Sequence, residues 1–338
     1  MSTRFKLAAI LAGALSISAN SVWGEELSVA TFVPPSHETI TGALAWFENE
    51  LTSRSNGELT LKVYAAGQLG AGPTQQYKRA VEGVADITFG IAASTPTLFP
   101  KTMLAILPGK AVNGPDSTRR MWTVFDKYMA DEWSDVKVLA IGNPAGGMII
   151  ATKDVSTIEG MKGAKIVPWA AITTPVLQGM GAVPVQLDPT EHYTALSTGT
   201  IDAAISSINN IMPPWNLDEV ANYAIVNTPA TFNPVFYVMN KERYESLSAK
   251  HQKIIDEISG MPFSMQLVQA FHDADEVALK WKDEKIAAGE LNVEWIVTPD
   301  SERAKMEAAA AAGMEAIYSD YENRGIKNAK KIYEALNK

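Results

Sequence analysis

The hydrophobic and polar positions of the chain follow two alternating periods. In "ELSVATFV" polar and apolar residues alternate with the period of two of a half-buried strand, whereas "HETITGALAWFENELTSRSNG" has the three-to-four spacing of an amphipathic helix. The next patterns are, in order, strand "ELTLKVYAAGQLG", helix "PTQQYKRAVEGV", strand "ADITFGIAA", helix "TRRMWTVFDKYMADEW" and strand "VKVLAIG". This order predicts an α/β fold with a mostly parallel sheet.

The second half of the chain repeats this theme. Its strand patterns are "AKIVPW", "AVPVQL" and "IDAAISS", and its helix patterns are "TTPVLQGMG" and "PTEHYTALSTGT". "TPATFNPVFYVMNKERYESL" then predicts a strand that leads into a helix. Residues 248–289 are nearly all helix formers, interrupted only near "GMPF", and "SERAKMEAAAAAGMEAIYSDYENRG" predicts a further helix. Two α/β halves braced by long helices predict a chain of two lobes.

Residues 1–24 have the three parts of a secretory signal peptide. Arg4 and Lys6 provide a basic start, "LAAILAGALSI" is an apolar core, and Val22 and Gly24 are small residues before a cleavage point. This core is too short for a stable membrane anchor, and no later apolar run reaches about 18 residues. A buried N-terminal helix is the alternative interpretation. We expect export to the periplasm without membrane insertion.

Charge and composition narrow the classes of function. Removal of the signal segment takes away two of the 29 basic residues and none of the 38 acidic ones, so the net charge becomes −11. This balance argues against nucleic-acid partners and anionic membrane surfaces. The chain has no cysteine, its four histidines lack metal-ligand spacing, and "GQLGAG" lacks the Lys-Ser/Thr of a phosphate-binding loop. The sequence predicts no catalytic residue, metal site or cofactor, and therefore no enzyme.

Four motifs carry a resemblance to a known family. "YAAGQLG", "AVEGVADITFG", "MKGAKI" and "EHYTALSTGTIDA" occur in an order and at intervals that resemble the DctP-type solute-binding subunits of tripartite ATP-independent periplasmic (TRAP) transporters. The similarity covers about residues 27–330. It implies a two-lobed periplasmic binding protein of type II-like fold, with hinge strands, a long helix spanning both lobes and a solute cleft between them. It also implies that a membrane permease, driven by an ion gradient, receives the solute.

The resemblance also suggests approximate lobe boundaries. We expect residues 25–145 and 233–272 to form the first lobe, and residues 146–232 and 273–338 to form the second.

One feature of the family motif is absent from this chain. Relatives have a segment like "KIRVP" whose arginine holds a solute carboxylate with two parallel hydrogen bonds. Here "KI" runs directly into "VPW", so the arginine is either deleted or replaced by Val167, and Gly147 stands where some members have a second arginine. Residues 166–240 contain no lysine or arginine but five acidic residues. Since a buried carboxylate without a cationic partner is costly, we expect a neutral or cationic solute, such as an amino alcohol, amine or quaternary ammonium.

Two alternatives to this expectation stay open. An organic acid could be held by backbone amides or by a lysine or arginine from residues 25–145. A sensory or enzymatic use of the same scaffold belongs to a different class of function, and no residue pattern calls for it.

Aromatic and acidic residues are the first candidates for binding a cation. Trp169 follows the position of the missing arginine, and Trp215 and Phe236 are further possible walls of an aromatic cage. Core packing is the alternative for each of these rings. Asp188 and Glu38 are the candidate counter-charges, with helix capping as the alternative for Asp188 and a helix-dipole contact as the alternative for Glu38.

Neutral hydrogen-bonding residues complete the predicted site. Ser206, Ser207, Asn209 and Asn210 follow a strand end where the family usually has an asparagine that reaches the solute. Their alternative is a turn or a cap. Asn233 is a candidate at a hinge or rim turn, where a structural role is the stronger interpretation.

Overall fold

The computed structural model describes residues 24–111, 113–144, 147–229 and 234–338. The predicted signal segment, except Gly24, lies outside these ranges. The strands are β1 (Glu25–Ala30), β2 (Leu59–Tyr64), β3 (Ile87–Ile91), β4 (Val136–Gly142), β5 (Gly147–Ala151), β6 (Lys165–Val167), β7 (Val183–Pro184), β8 (Ala203–Ser207), β9 (Tyr223–Val226), β10 (Val235–Asn240) and β11 (Glu294–Val297).

The α-helices are α1 (Ala45–Arg54), α2 (Gln76–Val81), α3 (Gly114–Tyr128), α4 (Ile158–Met161), α5 (Thr174–Gly179), α6 (His192–Ser197), α7 (Lys241–Ser246), α8 (Ala249–Ile258), α9 (Met261–Ala288), α10 (Asp300–Asn323) and α11 (Ala329–Leu336). A π-helical turn, Thr39–Leu44, runs directly into α1, and a 3-10 turn, Ile208–Ile211, follows β8.

The strands of the described ranges form two separate sheets. The first has the order β2-β1-β3-β10-β4 and the second the order β11-β9-β5-β8-β6-β7. Each sheet is parallel except for one strand, which is β10 in the first sheet and β5 in the second. These two strands follow the links by which the chain passes from one sheet to the other. The predicted α/β fold with two lobes and hinge strands is confirmed, while the expected boundaries at residues 145/146 and 232/233 fall outside the described residues.

The strand and helix patterns locate most elements but miss three strands. β5, β9 and β11 have no counterpart among the predicted strands, and "AVPVQL" forms only the two-residue strand β7. β5 is buried along its whole length, so it shows no alternation of polar and apolar residues. The helical stretch from residue 248 forms α8 and α9, and the break lies at Ser259 and Gly260, next to "GMPF".

Helix α9 spans both lobes. In its first turns Ser264 Oγ accepts the Ile141 N–H of β4 at 3.0 Å, and Phe263 and Leu267 pack in the core of the first lobe. Ala278, farther along the helix, packs in the core of the second lobe. No helix in the described part of the chain is both long and apolar enough to cross a bilayer.

The C-terminal helix α11 joins the first lobe. Its Tyr333 hydroxyl donates to the Pro108 carbonyl oxygen at 2.5 Å, and the Lys110 N–H donates to Asn337 Oδ1 at 2.6 Å. The expected boundary places residues 273–338 in the second lobe. The end of the chain instead returns to the first, so that α9 and the α10–α11 segment both connect the lobes.

Close approach of α5 and α10 depends on glycine. A Cβ at Gly313 would lie 2.1 Å from the Pro175 carbonyl oxygen, and one at Gly179 would lie 2.6 Å from the Ala309 carbonyl oxygen. We expect Gly313→Ala to lower the free energy of unfolding by about 1–3 kcal/mol, because the two helices must separate to admit the methyl group. Urea denaturation measures this loss. Ala312→Ser, at an exposed neighbouring position, is the control and should change stability by about 0.5 kcal/mol or less. Equal stability of Gly313→Ala and the wild type would contradict the tight contact.

Candidate functional site

The two lobes face each other with the carboxyl ends of their parallel strands. The chain leaves β1 toward His37 and Glu38, and it leaves β8 toward the turn Ile208–Ile211. Asn209 Nδ2 in this turn donates to Glu38 Oε1 at 3.2 Å, which joins the second lobe to the first. In open α/β sheets, loops at this edge form the binding crevice. The candidate solute site therefore lies between these two loops.

Glu38, Asn209 and Asp275 form one group, which we call the Asn209 junction. Asp275 lies on α9, and the Asn209 main-chain N–H and the charge of Glu38 both act on the pKa of its carboxyl group. Asn209 Oδ1 is buried and has no hydrogen-bond partner among the described residues. Burial is the main cause that raises the pKa of Asp275 to about 7; the Asn209 N–H opposes this rise, and the charges of Glu38 and Glu276 add to it. The junction thus contains two carboxyl groups, of Glu38 and Asp275, and the Asn209 amide oxygen, which has no hydrogen-bond partner among the described residues.

His37 supports this group without adding charge. Its Nδ1 accepts the Thr39 N–H at 3.3 Å and lies 3.0 Å from Thr39 Oγ1. The ring packs near Phe89 and Phe271, with centroid distances of 6.5 and 6.1 Å. Burial lowers the pKa of His37 even though Glu38 Oε2 is 3.4 Å from Nδ1. The imidazole is therefore neutral near pH 7.

The predicted serine and asparagine candidates separate into two groups. Asn209 lies at the junction, whereas Ser206 is fully buried and its Oγ accepts the Asn210 Nδ2 hydrogen bond at 2.9 Å. Ser206 and Asn210 thus satisfy each other within the turn. Ser207 ends β8, pairs with Gly147 and is partly buried. Asn233 lies outside the described residues.

Asp188 is an exposed helix cap. Its side chain accepts a main-chain N–H from the turn that precedes α6, and its own N–H donates to Glu191 Oε2 at 2.9 Å. This reciprocal pair is a capping box, in which two otherwise unpaired donors are satisfied. The capping alternative explains the geometry of Asp188, and the structure does not bring it into the Asn209 junction.

The three aromatic candidates have different surroundings. Phe236 is 1% exposed in β10, and its ring lies 5.2 Å from Trp133 and 6.1 Å from Phe99 in the core of the first lobe. The structure thus places Phe236 in the core and not at the cleft edge. Trp215 is partly buried against the core of the second lobe. Trp169 is also partly buried, directly after β6 at the edge that faces the first lobe.

Sequence reasoning missed two charged residues near the cleft edge. Asp275 follows Phe271 by four residues and precedes Ala278 by three, so it lies on the apolar face of α9. A charged residue at an apolar position of the helical pattern is the sequence signal that indicates it. Arg79 of α2 lies over Gly70, where a Cβ would be 2.1 Å from its Nη2. Arg79 Nη2 is 3.4 Å from the Ala71 carbonyl oxygen, and its buried Nη1 has no hydrogen-bond partner in the described ranges.

Metal binding finds no support in the described residues. They contain no group of three or more histidine, aspartate or glutamate side chains placed to hold a metal ion. Asp202 pairs with Lys153 Nζ at 2.7 Å and accepts the Lys165 N–H at 2.9 Å.

Comparison with known proteins gives consistent results. The model of DctP, bacterial extracellular solute-binding protein family 7, matches residues 29–321. A TRAP solute-binding protein from Rhodoferax ferrireducens T118, solved with copurified benzoate, is 26% identical with a TM-score of 0.82, and the match covers 93% of this chain and 96% of that one. A marine metagenome TRAP solute-binding protein solved with 3-hydroxybenzoate is 25% identical with a TM-score of 0.81, covering 93% and 99%. The protein TsaT of Comamonas testosteroni is 24% identical over 281 residues, 80% of each chain.

Proposed function

Because the chain belongs to the DctP family of bacterial extracellular solute-binding proteins, we propose that it is the periplasmic solute-binding subunit of a TRAP transporter and that its solute carries a cationic or neutral polar group. Its partners are this small solute and the membrane permease of the transporter. The fold and the family are those of transport proteins and not of enzymes.

The Asn209 junction is the observation that supports a cationic solute. It places Glu38 of the first lobe and Asp275 of α9 around Asn209 of the second lobe. An ammonium group donates several hydrogen bonds, and two carboxylates with an amide oxygen can accept them. Trp169 is the remaining aromatic candidate at this edge, where a ring face can attract an ammonium group. An amino alcohol or an amine fits these groups by hydrogen bonds, and a quaternary ammonium, which has no N–H, fits them by its charge and by contact with the ring face.

Lobe closure is the mechanism of capture. The solute binds to one lobe, the second lobe closes over it, and water leaves the cleft. Since a solute shifts the equilibrium only by its different affinity for the two states, groups from both lobes must contact it. Glu38 and Asn209 meet this condition because they belong to different lobes. The closed form is then the one that the permease recognises.

A carboxylate solute is the second candidate. The relatives from R. ferrireducens and the marine metagenome were solved with benzoate and 3-hydroxybenzoate. In this chain the supporting observation is Arg79, whose Nη1 is buried without a hydrogen-bond partner among the described residues. A guanidinium is well suited to a carboxylate, so Arg79 would replace the arginine that the "KIVPW" segment lacks.

A thermal-shift panel distinguishes the two candidates. We expect ethanolamine or choline, at about one hundred times the dissociation constant, to raise the melting temperature by about 5 °C, because a ligand that binds only the folded state stabilises it by about 2.7 kcal/mol. Benzoate, mandelate and glucuronate serve as the matched carboxylates and should leave the melting temperature unchanged. A shift with carboxylates alone, lost in Arg79→Gln, would contradict the cationic solute and support the second candidate.

A further inference from the structure

A small cavity lies beneath α5 in the second lobe, and we call it the α5 cavity. Its walls include Ile205 of β8, Met161 at the end of α4 and Met180 just after α5. Pro108 of the first lobe and Thr228, which follows β9 in the link between the lobes, complete the lining. Because both lobes and a link form its walls, the width of the cavity depends on how the lobes stand to each other.

The lining of the α5 cavity is apolar and uncharged. Branched aliphatic side chains, two prolines and the methionines Met161 and Met180 make up most of it, and none of the lining residues is titratable. An ammonium group would lose its hydration there without a counter-charge, so the cavity does not suit the charged end of a solute. It suits a hydrocarbon group, whose removal from water is favourable.

Two threonines give the cavity its only side-chain hydroxyl groups, and their bonding differs. Thr173 Oγ1 donates to the Ala170 carbonyl oxygen at 2.8 Å. Thr228 is 5% exposed, and its Oγ1 is buried with no hydrogen-bond partner in the ranges that the structure describes. A buried hydroxyl without a partner costs free energy. Thr228 therefore gains from any bound group that supplies a hydrogen bond.

Little free space remains in the α5 cavity in this structure. Its volume is about 20 Å³, roughly what one water molecule needs. A water molecule would find few polar partners among the lining side chains, and an apolar group gains affinity when it displaces a weakly held water. Met161 and Met180 have flexible, unbranched side chains, so they can repack around a larger group.

The cavity and the Asn209 junction lie on neighbouring segments of the chain. Ile205 of β8 lines the cavity, and Asn209 follows it by four residues in the turn Ile208–Ile211. Four residues span at most about 14 Å, so both places lie within reach of one elongated small molecule. A single solute can therefore place its charge at the junction and its uncharged part in the cavity.

We propose that the α5 cavity is a second subsite for the solute, which receives a short hydrocarbon chain and pairs Thr228 with a hydroxyl group at the end of that chain. This inference rests on the proposed function for the charged end of the solute, and it selects the amino alcohols from the classes named there. Closure then encloses the hydrocarbon part between Pro108 of the first lobe and the walls of the second.

The methyl signals of the methionines report on the cavity directly. In the mature chain with ¹³C-labelled methionine methyl groups, 4-amino-1-butanol should shift the NMR signals of Met161 and Met180, which Met161→Leu and Met180→Leu assign. Met239, in the core of the first lobe, is the reference and should not move. By isothermal titration, 4-amino-1-butanol should bind more tightly than ethanolamine by about fourfold for each added methylene.

Exchange of each threonine for valine tests the hydroxyl group. Thr228→Val removes an unpaired hydroxyl, so the empty protein should melt about 2 °C higher, and its preference for 4-amino-1-butanol over butylamine should fall by about five- to tenfold. Thr173→Val is the matched control, because it lines the same cavity but loses a hydrogen bond that is already made. It should melt lower and keep the wild-type preference. An unchanged preference in Thr228→Val overturns the pairing of Thr228 with the solute.

1-Butanol separates this inference from the proposed function. If neither amino alcohol binds but 1-butanol shifts the Met161 and Met180 signals, the cavity stands as an apolar site and the cationic solute is wrong. If ethanolamine and 4-amino-1-butanol bind with equal affinity and these signals stay in place, the amine site stands and the subsite is overturned. Signals that move with none of the three compounds also overturn the subsite.

Discussion

Replacement of Glu38 by lysine is expected to lower the affinity for an amine solute by at least about a hundredfold. In the wild type Glu38 Oε1 accepts the Asn209 Nδ2 hydrogen bond and provides a negative charge at the junction. Two unit charges about 4 Å apart interact by about 4 kcal/mol at the effective dielectric constant of a protein surface, so reversal of one charge changes attraction into repulsion. A hundredfold loss corresponds to only about 2.8 kcal/mol and is therefore a lower bound.

Isothermal titration of the purified variants with ethanolamine measures this effect. Glu38→Gln removes the charge but keeps the shape and one acceptor oxygen, so it should lose affinity by a smaller factor, about tenfold. Glu82→Lys is the matched control, because it makes the same charge change at an exposed position just after α2. If Glu38→Lys binds ethanolamine within threefold of the wild type while Glu82→Lys does the same, Glu38 has no part in binding.

The fold could be predicted from strands that expose one face, because their polar and apolar residues alternate. β1 and β2 show this signal, and the order of strand and helix patterns predicts two α/β lobes. β5 and β9 could not be found in the same way. β5 is buried throughout, and β9 has four residues, so neither shows alternation long enough to distinguish a strand from other buried segments. Their place in the sheet depends on the hinge links, which the local pattern does not describe.

The candidate site was predictable only one residue at a time. Glu38 and Asn209 each stand at a strand end, but they are 171 residues apart in the sequence, and their contact depends on how the lobes meet. The sequence predicts Asp275 only as part of a helix, because the position of its carboxyl group near Glu38 and Asn209 depends on how this helix passes between the two lobes. Phe236 is the opposite case. The sequence makes it a candidate for the cleft, but its ring faces the core, because β10 is buried along its whole length.

Stability should fall as pH rises toward 7, and Glu132 is expected to be a main cause. Its carboxylate accepts the Lys101 N–H at 2.5 Å, the Thr102 N–H at 2.9 Å and the Thr102 hydroxyl at 2.8 Å. Burial outweighs these hydrogen bonds and raises the pKa of Glu132 from 4.5 to about 7. Asp275 behaves in the same way, from 3.8 to about 7. Both groups bind a proton more tightly in the folded than in the unfolded chain.

The sign of the pH dependence follows from this difference. The stabilisation by each proton is complete below the unfolded pKa and is lost as pH rises through the folded pKa near 7. For Glu132 the loss is about 3 kcal/mol, since each pKa unit corresponds to about 1.4 kcal/mol.

Urea denaturation at pH 5 and pH 8 measures this loss. The unfolding free energy should differ between the two pH values by less in Glu132→Gln than in the wild type, and the reduction should be about this amount. The comparison between the two pH values cancels the cost of placing an amide opposite three donors, because that cost is the same at both. Glu159→Gln, at an exposed position, should keep the wild-type difference. An unchanged difference in Glu132→Gln would mean that its hydrogen bonds, and not its burial, determine its pKa.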